Sequence, residues 1–262
     1  MRITVLGSGS TGNATLVEAG ATRLLIDSGL RPRAVRKRAR LARGEPLDSL
    51  DGIVVTHAHC DHAAHASTCA TVFDAPVYLS EATRRGIRFR NEPRVRIFGA
   101  RASFRIGEIE IHPLPVPHDA PNVAIVVSYA GARAGIVTDV GCVTGQLVDH
   151  FRGCSAVLVE SNYDPHLLQH GPYPEEIQRR VRGDTGHLGN AQTAELLCSL
   201  DRDVERVVLM HLSERNNLPE LARASAADAL AGRGVSLEIA DAAQPVSFRV
   251  RQRGQLVLPL IA

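Results

Sequence analysis

The chain contains no tryptophan and a single lysine, and only 4% of its 262 residues are aromatic. It has no apolar stretch of membrane-spanning length and no positively charged leader followed by an apolar core. We therefore expect neither a membrane protein nor an exported one. Its five cysteines are an odd number without CxxC spacing, which argues against a disulfide framework. These absences indicate a cytoplasmic protein with reduced thiols.

Basic residues are concentrated in two segments, although the net charge is only +2. The first segment holds Arg31, Arg33, Arg36, Lys37, Arg38, Arg40 and Arg43, and the second holds Arg84, Arg85, Arg88, Arg90, Arg94, Arg96, Arg101 and Arg105. Basic surfaces of this kind suit phosphate backbones. Heavy arginine usage also produces solvated helix faces without a partner, and charge alone leaves both interpretations open.

Short apolar segments alternate with helical patterns along the whole chain, without a repeat or a linker. Strands are predicted near 2–6, 14–18, 22–27, 52–56, 76–79, 103–106, 109–116, 123–129, 133–138, 156–160, 206–210, 235–239 and 245–250. Helices are predicted near 31–42, 61–72, 81–87, 143–151, 164–169, 174–182, 191–200 and 217–232. The pattern predicts an α/β protein, and residues 1–262 are expected to form one domain.

The segment His57-Ala58-His59-Cys60-Asp61-His62 follows the apolar run 53–55. Imidazole and carboxylate groups are ligands that zinc and manganese prefer. Four candidate ligands so close together, with more histidine and aspartate downstream, indicate two metal ions. Two ions about 3.5–4 Å apart can act together in hydrolytic displacement. Cys60 is interpreted as a small filler, because a thiolate ligand would break the two-metal pattern.

Three further candidate ligands each follow a short apolar run of strand length, namely His118, Asp139 and His211. The ends of buried strands commonly display site residues on a rigid scaffold. Either histidine by itself would more often be an ordinary surface or capping residue. Together with the motif at 57–62, the three indicate one metal site.

The order H-x-H-x-D-H, followed by His118, Asp139 and His211, resembles the metallo-β-lactamase-fold superfamily of binuclear hydrolases over nearly the whole chain. The resemblance implies an αββα sandwich, two packed mixed β-sheets with helices outside. It also implies two divalent metal ions, Zn or Mn. It implies that one ion is held by His57, His59 and His118, the other by Asp61, His62 and His211, with Asp139 bridging both. A flavodiiron-type redox site would require a carboxylate in place of His59.

Residue spacing and further motifs indicate which branch of the superfamily the chain resembles. His118 and Asp139 are 21 positions apart, too few for the arm of RNase Z-type enzymes, and the 72 positions from Asp139 to His211 are too few for a β-CASP cap. Segments 7–13, 159–164, 186–190 and 212–217 resemble the YycJ/WalJ-type bacterial exonucleases. Gly189 stands where that pattern has serine.

The resemblance implies a binuclear phosphodiesterase, a 5′-to-3′ exonuclease on single-stranded DNA in which a metal-bridging hydroxide attacks phosphorus. Asp61 would orient the nucleophile, His187 would assist the leaving group, and Glu160 would support a ligating histidine. Asn13 would face the site and contact phosphate. Asn162, Asn190 and Asn217 would contact phosphate or hold ligands in place or, equally, serve as cap and turn residues. Asn190 is also the expected cap of the helix near 191–200. The remaining histidines, His112, His150, His166 and His170, are expected at the surface.

Two other functions remain open. A small-molecule hydrolase, acting on a cyclic phosphodiester or a glyoxalase-type thioester, would have an enclosed pocket and would be insensitive to neutralising Arg36 and Arg38. A nucleic-acid-binding or regulatory protein with a degenerate site is disfavoured by the complete ligand set. The sequence indicates a nucleic-acid substrate but neither a membrane nor an obligate protein partner.

Overall fold

The computed structural model describes residues 1–89, 92–242 and 244–252; Arg90 of the second basic segment lies outside these ranges. The strands are β1 (Arg2–Gly7), β2 (Ala14–Ala19), β3 (Thr22–Ile26), β4 (Gly52–Val54), β5 (Val77–Ser80), β6 (Val95–Phe98), β7 (Phe104–Ile106), β8 (Ile109–Val116), β9 (Asn122–Tyr129), β10 (Ala132–Val137), β11 (Ala156–Glu160), β12 (Arg206–Met210), β13 (Ser236–Ile239) and β14 (Val246–Arg249). The helices are α1 (Pro32–Arg43), α2 (Cys60–Ala63), α3 (Ala66–Val72), α4 (Glu81–Gly86), α5 (Gly145–His150), α6 (Pro165–His170), α7 (Glu175–Arg182), α8 (Asn190–Ser199) and α9 (Pro219–Ala229).

The strands form two mixed sheets that pack face to face. The described residues give the first sheet seven strands in the order β14-β1-β2-β3-β4-β5-β6 and the second seven in the order β13-β12-β11-β10-β9-β8-β7. Buried residues of both sheets form the central core. A second cluster lies between the first sheet and helices α1 and α3, and a third lies between the second sheet and helices α5, α8 and α9. The αββα prediction is confirmed.

Both faces of the inner strands are apolar because both are covered. In β2, Leu16 packs towards the helices and Val17 towards the other sheet. In β3, Leu25 packs towards the helices and Leu24 towards the other sheet. Strands covered on both faces appear in the sequence as continuous apolar runs, which is why the alternation of polar and apolar residues is weak here.

Strand direction brings the ends of several strands to one edge of the sandwich. Strands β3 and β4 are parallel, and so are β10, β11 and β12. Strand β8 is antiparallel to β9, which is antiparallel to β10, so β8 ends at the same edge as β10. The residues that follow these strands are therefore neighbours in space although they are far apart in the chain.

Three local predictions were wrong. Strand β6 was missed because Arg96 and Ile97 in it are exposed, so the segment lacks a buried-strand pattern. The helix predicted over 61–72 is two helices, α2 and α3, since the backbone N–H of His65 donates to the carbonyl of Ser28 at 2.9 Å instead of continuing the helix. His112 is half-buried between the hydroxyls of Ser103 and Ser128, and its carbonyl accepts from a half-buried His150.

His166 and His170 are exposed, as predicted. Within the described ranges, no helix is both long and apolar enough to span a membrane.

Phe151 and Gly135 provide a test of packing in the outer layer. Phe151 is fully buried, and a Cβ added at Gly135 would lie 2.6 Å from its ring. Gly135→Ala should therefore lower the free energy of unfolding by about 1–3 kcal/mol through overpacking. In a Phe151→Leu background the added methyl group has more room, so the two changes should be non-additive in urea denaturation.

Gly145→Ala is the matched control, because nothing lies within 4 Å of a Cβ at that position. It should change the unfolding free energy by less than about 0.5 kcal/mol. Equal destabilisation by Gly135→Ala in both backgrounds would contradict the proposed contact with Phe151.

Candidate metal centre

The residues at 57–62 enter the site from the end of β4. His59 has extended backbone and precedes α2, while Asp61 and His62 lie in that short helix. The backbone carbonyl of Asp61 accepts from the N–H of Asn13, which fixes α2 against the glycine-rich turn between β1 and β2. Four candidate ligands are thereby presented from one short stretch of chain.

Three site residues have left-handed backbone, namely Asp27 (φ 60°), Asp139 (φ 59°) and His211 (φ 53°). Each follows a strand, after β3, β10 and β12. This conformation is uncommon for residues other than glycine, and such strain concentrates at functional sites. The turn it produces directs each side chain away from the strand axis and into the shared edge of the sheets.

One group of donor atoms comprises His57, His59, His118 and Asp139, all within 4.8 Å of one another. His59 Nδ1 and His118 Nε2 are 3.2 Å apart. For Zn–N bonds of about 2.0–2.1 Å, two nitrogens in a tetrahedral shell lie about 3.3 Å apart. The spacing of these two ring nitrogens is thus that of neighbouring ligands.

The second group comprises Asp61, His62, His211 and again Asp139, also within 4.8 Å. His211 Nε2 is 3.2 Å from Asp61 Oδ2, and His62 Nε2 is 2.9 Å from Asp139 Oδ2. The structure therefore brings together all seven side chains that the sequence marked as metal ligands. Asp139 belongs to both groups, and also to a third group that it forms with Glu160, His187 and His211.

The hydrogen bonds around the first histidines orient them for metal binding. The hydroxyl of Thr56 donates to Asp27 Oδ1 at 2.9 Å, so its oxygen accepts the Nδ1 proton of His57 at 3.0 Å. His57 Nε2 is then an unprotonated acceptor, and among the described residues this buried atom has no hydrogen-bond partner. An unpartnered buried nitrogen within a cluster of ligand atoms fits a bound cation.

His62, His118 and His211 follow the same rule. His62 Nδ1 donates to Asp27 Oδ2 at 2.7 Å, and His118 Nδ1 donates to the carbonyl of Gly186 at 3.1 Å. His211 Nδ1 lies 3.4 Å from Glu160 Oε2. In each case the opposite nitrogen, Nε2, is left for the centre of the cluster. Such outer partners fix ring orientation and raise ligand basicity.

Burial and neighbouring charges set the protonation states. Burial together with nearby His62 holds the pKa of His57 well below its ordinary value. Burial opposes charge on Asp139, but His211 and His62 outweigh it and keep its pKa well below the usual range. Burial also opposes charge on His211, yet Asp139 and Asp61 raise its pKa to about 10. A metal ion at this site would therefore compete with a proton on His211.

Two aspartates near the ligands were missed by the sequence reasoning. Asp27 is the acceptor for both Thr56 and His62, and it ends an apolar run, the same signal that marked Asp139. Asp119 Oδ1 lies 3.3 Å from a nitrogen of His59 and 3.3 Å from one of His118. No sequence pattern distinguished Asp119 from other acidic residues in loops, because its role depends on contacts from distant segments.

His187 and Glu160 lie beside the second group, as expected. Glu160 is fully buried, and its Oε2 accepts from His187 Nδ1 at 3.0 Å. Burial disfavours the imidazolium form of His187, but Glu160 outweighs this and raises the pKa of His187 above its ordinary value. Glu160 Oε1 accepts from the backbone N–H groups of Val140 and Leu188.

The four asparagines divide into two pairs. Asn13 Nδ2 lies 3.3 Å from Asp61 Oδ2, and Asn162 Nδ2 donates to the carbonyl of His211. Asn190 and Asn217 hydrogen-bond each other instead, and Asn190 also accepts from Ser161. The cap position of α8 is occupied by Gly189, so the expected cap role of Asn190 was wrong. Asn13 and Asn162 thus touch candidate ligands, whereas Asn190 and Asn217 support the loops behind them.

Gly189 has a structural explanation. A Cβ at this position would lie 2.9 Å from the ring of Tyr163. The side chain of Tyr163 therefore fills the space that a serine would need. Among the described residues, Cys60 belongs to no donor group, and its side chain is exposed instead of filling a packed space.

The fold and the site agree with comparisons to known proteins. The model of a beta-lactamase superfamily domain matches residues 22–212. The chain belongs to this superfamily and is a hydrolase of the metallo-β-lactamase fold, with clustered histidine and aspartate side chains able to bind metal.

Individual relatives cover almost the whole chain. Exodeoxyribonuclease YycJ of Bacillus anthracis is 33% identical over 240 residues, which are 89% of this chain and 90% of that protein. Exodeoxyribonuclease WalJ of Streptococcus pneumoniae serotype 2 is 28% identical over 252 residues, covering 92% and 93%. The crystal structure of the metallo-β-lactamase-fold protein YhfI from Bacillus subtilis superposes with a TM-score of 0.72 at 16% identity, covering 95% of this chain and 99% of that one.

The Asp27→Asn variant tests whether the Asp27 carboxylate, which orients candidate metal ligands through hydrogen bonds, contributes to metal affinity. Asparagine keeps the shape and tolerates left-handed backbone, but it removes the charge that accepts from His62 and Thr56. Metal affinity should fall about 10- to 100-fold, as is typical when such partners are lost. Competition with a chelating indicator would measure it.

Asp74→Asn is the matched control, since Asp74 also has positive φ (48°) but a side chain that is 93% exposed. Its metal affinity should equal that of the wild type. Unchanged affinity in Asp27→Asn would refute the role assigned to Asp27.

Proposed function

We propose that this chain is a cytoplasmic, binuclear, metal-dependent phosphodiesterase, and specifically a 5′-to-3′ exonuclease on single-stranded DNA. The observation that carries the proposal is the pair of donor groups sharing Asp139. The name exodeoxyribonuclease, borne by a relative 33% identical over most of the chain, supports the substrate class. Five free thiols support a reducing compartment, and the polarity of cleavage rests on resemblance.

His57, His59 and His118 would hold one divalent ion, Zn or Mn, and Asp61, His62 and His211 the other, with Asp139 between them. Bound there, the ions would supply an acidified water as nucleophile and neutralise charge on the phosphate. The protein supplies the geometry. Rings fixed by Asp27, Gly186 and Glu160 need no rearrangement when the ions and substrate bind.

Asp61 and His187 are the proposed catalytic residues. The Asp61 carboxylate is 17% exposed, so it can orient a nucleophile as well as bind metal. His187 is 21% exposed, and Glu160 accepts its Nδ1 proton, which leaves Nε2 for the substrate. Its raised pKa makes the protonated ring more populated than in a free imidazole, and the protonated ring is the form that donates a proton to the leaving oxygen.

The rim of the site suits a phosphate chain. Asn13 and Asn162 present amide groups beside the ligands, where they could donate to phosphate oxygens. Arg180 of α7 binds Asp119 through Nε at 2.7 Å, and its side chain is 61% exposed. This arrangement puts a guanidinium group next to His59 and His118. Asn190 and Asn217 would act indirectly, by holding the loops.

The first basic segment contributes less free charge than its composition indicates. Arg43 is buried and pairs with Glu18 and Glu45. Arg38 donates to the carbonyl of Leu6, and the guanidinium of Arg36 lies over the ring of Phe73. We infer that Arg180 matters more for substrate binding than Arg36 or Arg38.

We further propose that residues 1–262 form one hydrolase domain without a cap or an arm. The site of such a domain is open to an extended strand.

A product time course on end-labelled single-stranded DNA and RNA of matched sequence tests the proposed reaction. With Mn²⁺ or Zn²⁺, mononucleotides should be released stepwise from the 5′ end of DNA. Asp61→Ala should abolish release, whereas Asp149→Ala, at an exposed surface pair, should not.

Release of mononucleotides from the 3′ end would contradict the proposed 5′-to-3′ polarity. Absence of cleavage of either polymer with both metals would exclude a nuclease. A small-molecule hydrolase acting on cyclic phosphodiesters or thioesters would then be the better explanation.

Arg180→Ala should raise KM for single-stranded DNA and make the slope of log affinity against log salt shallower by about 0.7, as expected for one lost phosphate contact. Arg152→Ala provides the comparison, because Arg152 also pairs with an aspartate at 2.9 Å but precedes β11, at the opposite edge of the sheet. Equal slopes for Arg180→Ala and Arg152→Ala would show that Arg180 does not contact the substrate.

A further inference from the structure

An open groove of about 490 Å³ lies between α2, the start of α3 and the segment that follows α4. Its floor is made of small side chains, including Ala58, Ala63 and Ala64. Phe89 and Arg88 also line the groove. The described residues of this groove include no candidate metal ligand, so it is a separate feature beside the metal centre.

The groove begins at the metal motif itself. Ala58 and Cys60 line it, whereas His57, His59 and Asp61 belong to the donor groups. Successive residues of one short segment thus alternate between the groove and the metal centre. A ligand held by the metals through a phosphate would have its adjoining part next to the groove.

Small residues create the space. A Cβ at Gly86 would lie 2.8 Å from the Cβ of Ala58, so the segment after α4 can approach the motif only because residue 86 is glycine. Ala64 is exposed and presents only a methyl group. A groove lined by glycine and alanine at this point has room for a planar ring.

Phe89 and Arg88 are residue types that match the base and the phosphate of a nucleotide. Phe89 is half-buried and packs against the cluster beneath α1 and α3, which holds its ring in place. The guanidinium of Arg84 lies over that ring, 5.5 Å from its centre, and pairs with Glu92 at 2.8 Å, so it helps to fix the ring and is not a free charge. Arg88 is exposed and forms no ion pair within the described ranges, so its charge is available to a phosphate. Aromatic rings beside positive charges are the usual means of binding single strands without sequence preference.

We propose that this groove binds a nucleobase of the DNA strand whose phosphate lies at the metal centre, by stacking on Phe89. The proposal rests on the proposed nuclease function and adds a base-binding subsite to it. It requires that the bound strand be unpaired, because a base within a duplex cannot enter the groove.

Phe89→Trp gives a direct readout, because the chain has no other tryptophan. The Zn-loaded variant would be titrated with a phosphorothioate oligothymidylate, which resists hydrolysis, and with an abasic strand of the same length. Stacking should quench the tryptophan emission with the oligothymidylate, at a half-saturating concentration about 5- to 100-fold lower than with the abasic strand. Identical titrations, or no quenching by either strand, would overturn the proposal.

Filling the groove is the second test. Ala64→Phe should raise KM for single-stranded DNA by about 5- to 100-fold. It should leave Zn²⁺ affinity, measured by competition with a chelating indicator, unchanged, because the described residues of the groove include no candidate metal ligand. Ala82→Phe, at an exposed position of α4 outside the groove, should change neither. Unchanged KM in a folded Ala64→Phe variant would count against the subsite.

The two tests separate this proposal from the nuclease function. Cleavage of DNA by the wild type, with no difference between thymidylate and abasic strands, would refute the groove alone. Failure of the wild type to cleave DNA would refute the nuclease function and with it the subsite.

Discussion

The site depends on one buried carboxylate, that of Asp139. It lies among imidazole rings from both sheets, 2.9 Å from His62 Nε2 and 3.5 Å from His211 Nδ1. A buried carboxylate without cationic partners would be strongly destabilising. The surrounding histidines therefore have to be held in fixed orientations and protonation states, and most of the hydrogen bonds near the site serve that requirement.

The two sheets contribute different parts of the centre. The first sheet supplies the motif at 57–62 and, through Asp27, the acceptor that orients His62 and the hydroxyl of Thr56. The second supplies Asp139, Glu160 and His211. The backbone N–H of His211 donates to Ser8 Oγ at 2.7 Å, which ties the second sheet to the turn that carries Asn13. Packing of the sandwich and assembly of the site are thus the same event.

The seven candidate ligands could be found from the sequence because four of them form one dense motif after an apolar run, and the other three each closely follow an apolar run. The alternation of strands and helices indicated an α/β protein, and the sandwich of two sheets was implied by the resemblance to the superfamily. Asp119 and the base groove could not be found in this way, because their roles arise from contacts between segments distant in sequence. The exposed strand β6 lacked the burial that makes strands recognisable. The break between α2 and α3 depends on a hydrogen bond from His65 to Ser28 that no local pattern encodes.

The number and positions of the bound ions test the central claim most directly. Anomalous diffraction from crystals grown with Zn²⁺ or Mn²⁺ would locate them. Two peaks about 3.5–4 Å apart, on either side of the Asp139 carboxylate, are the predicted result. A single peak, or a pair that Asp139 does not separate, would contradict a binuclear centre bridged by this residue.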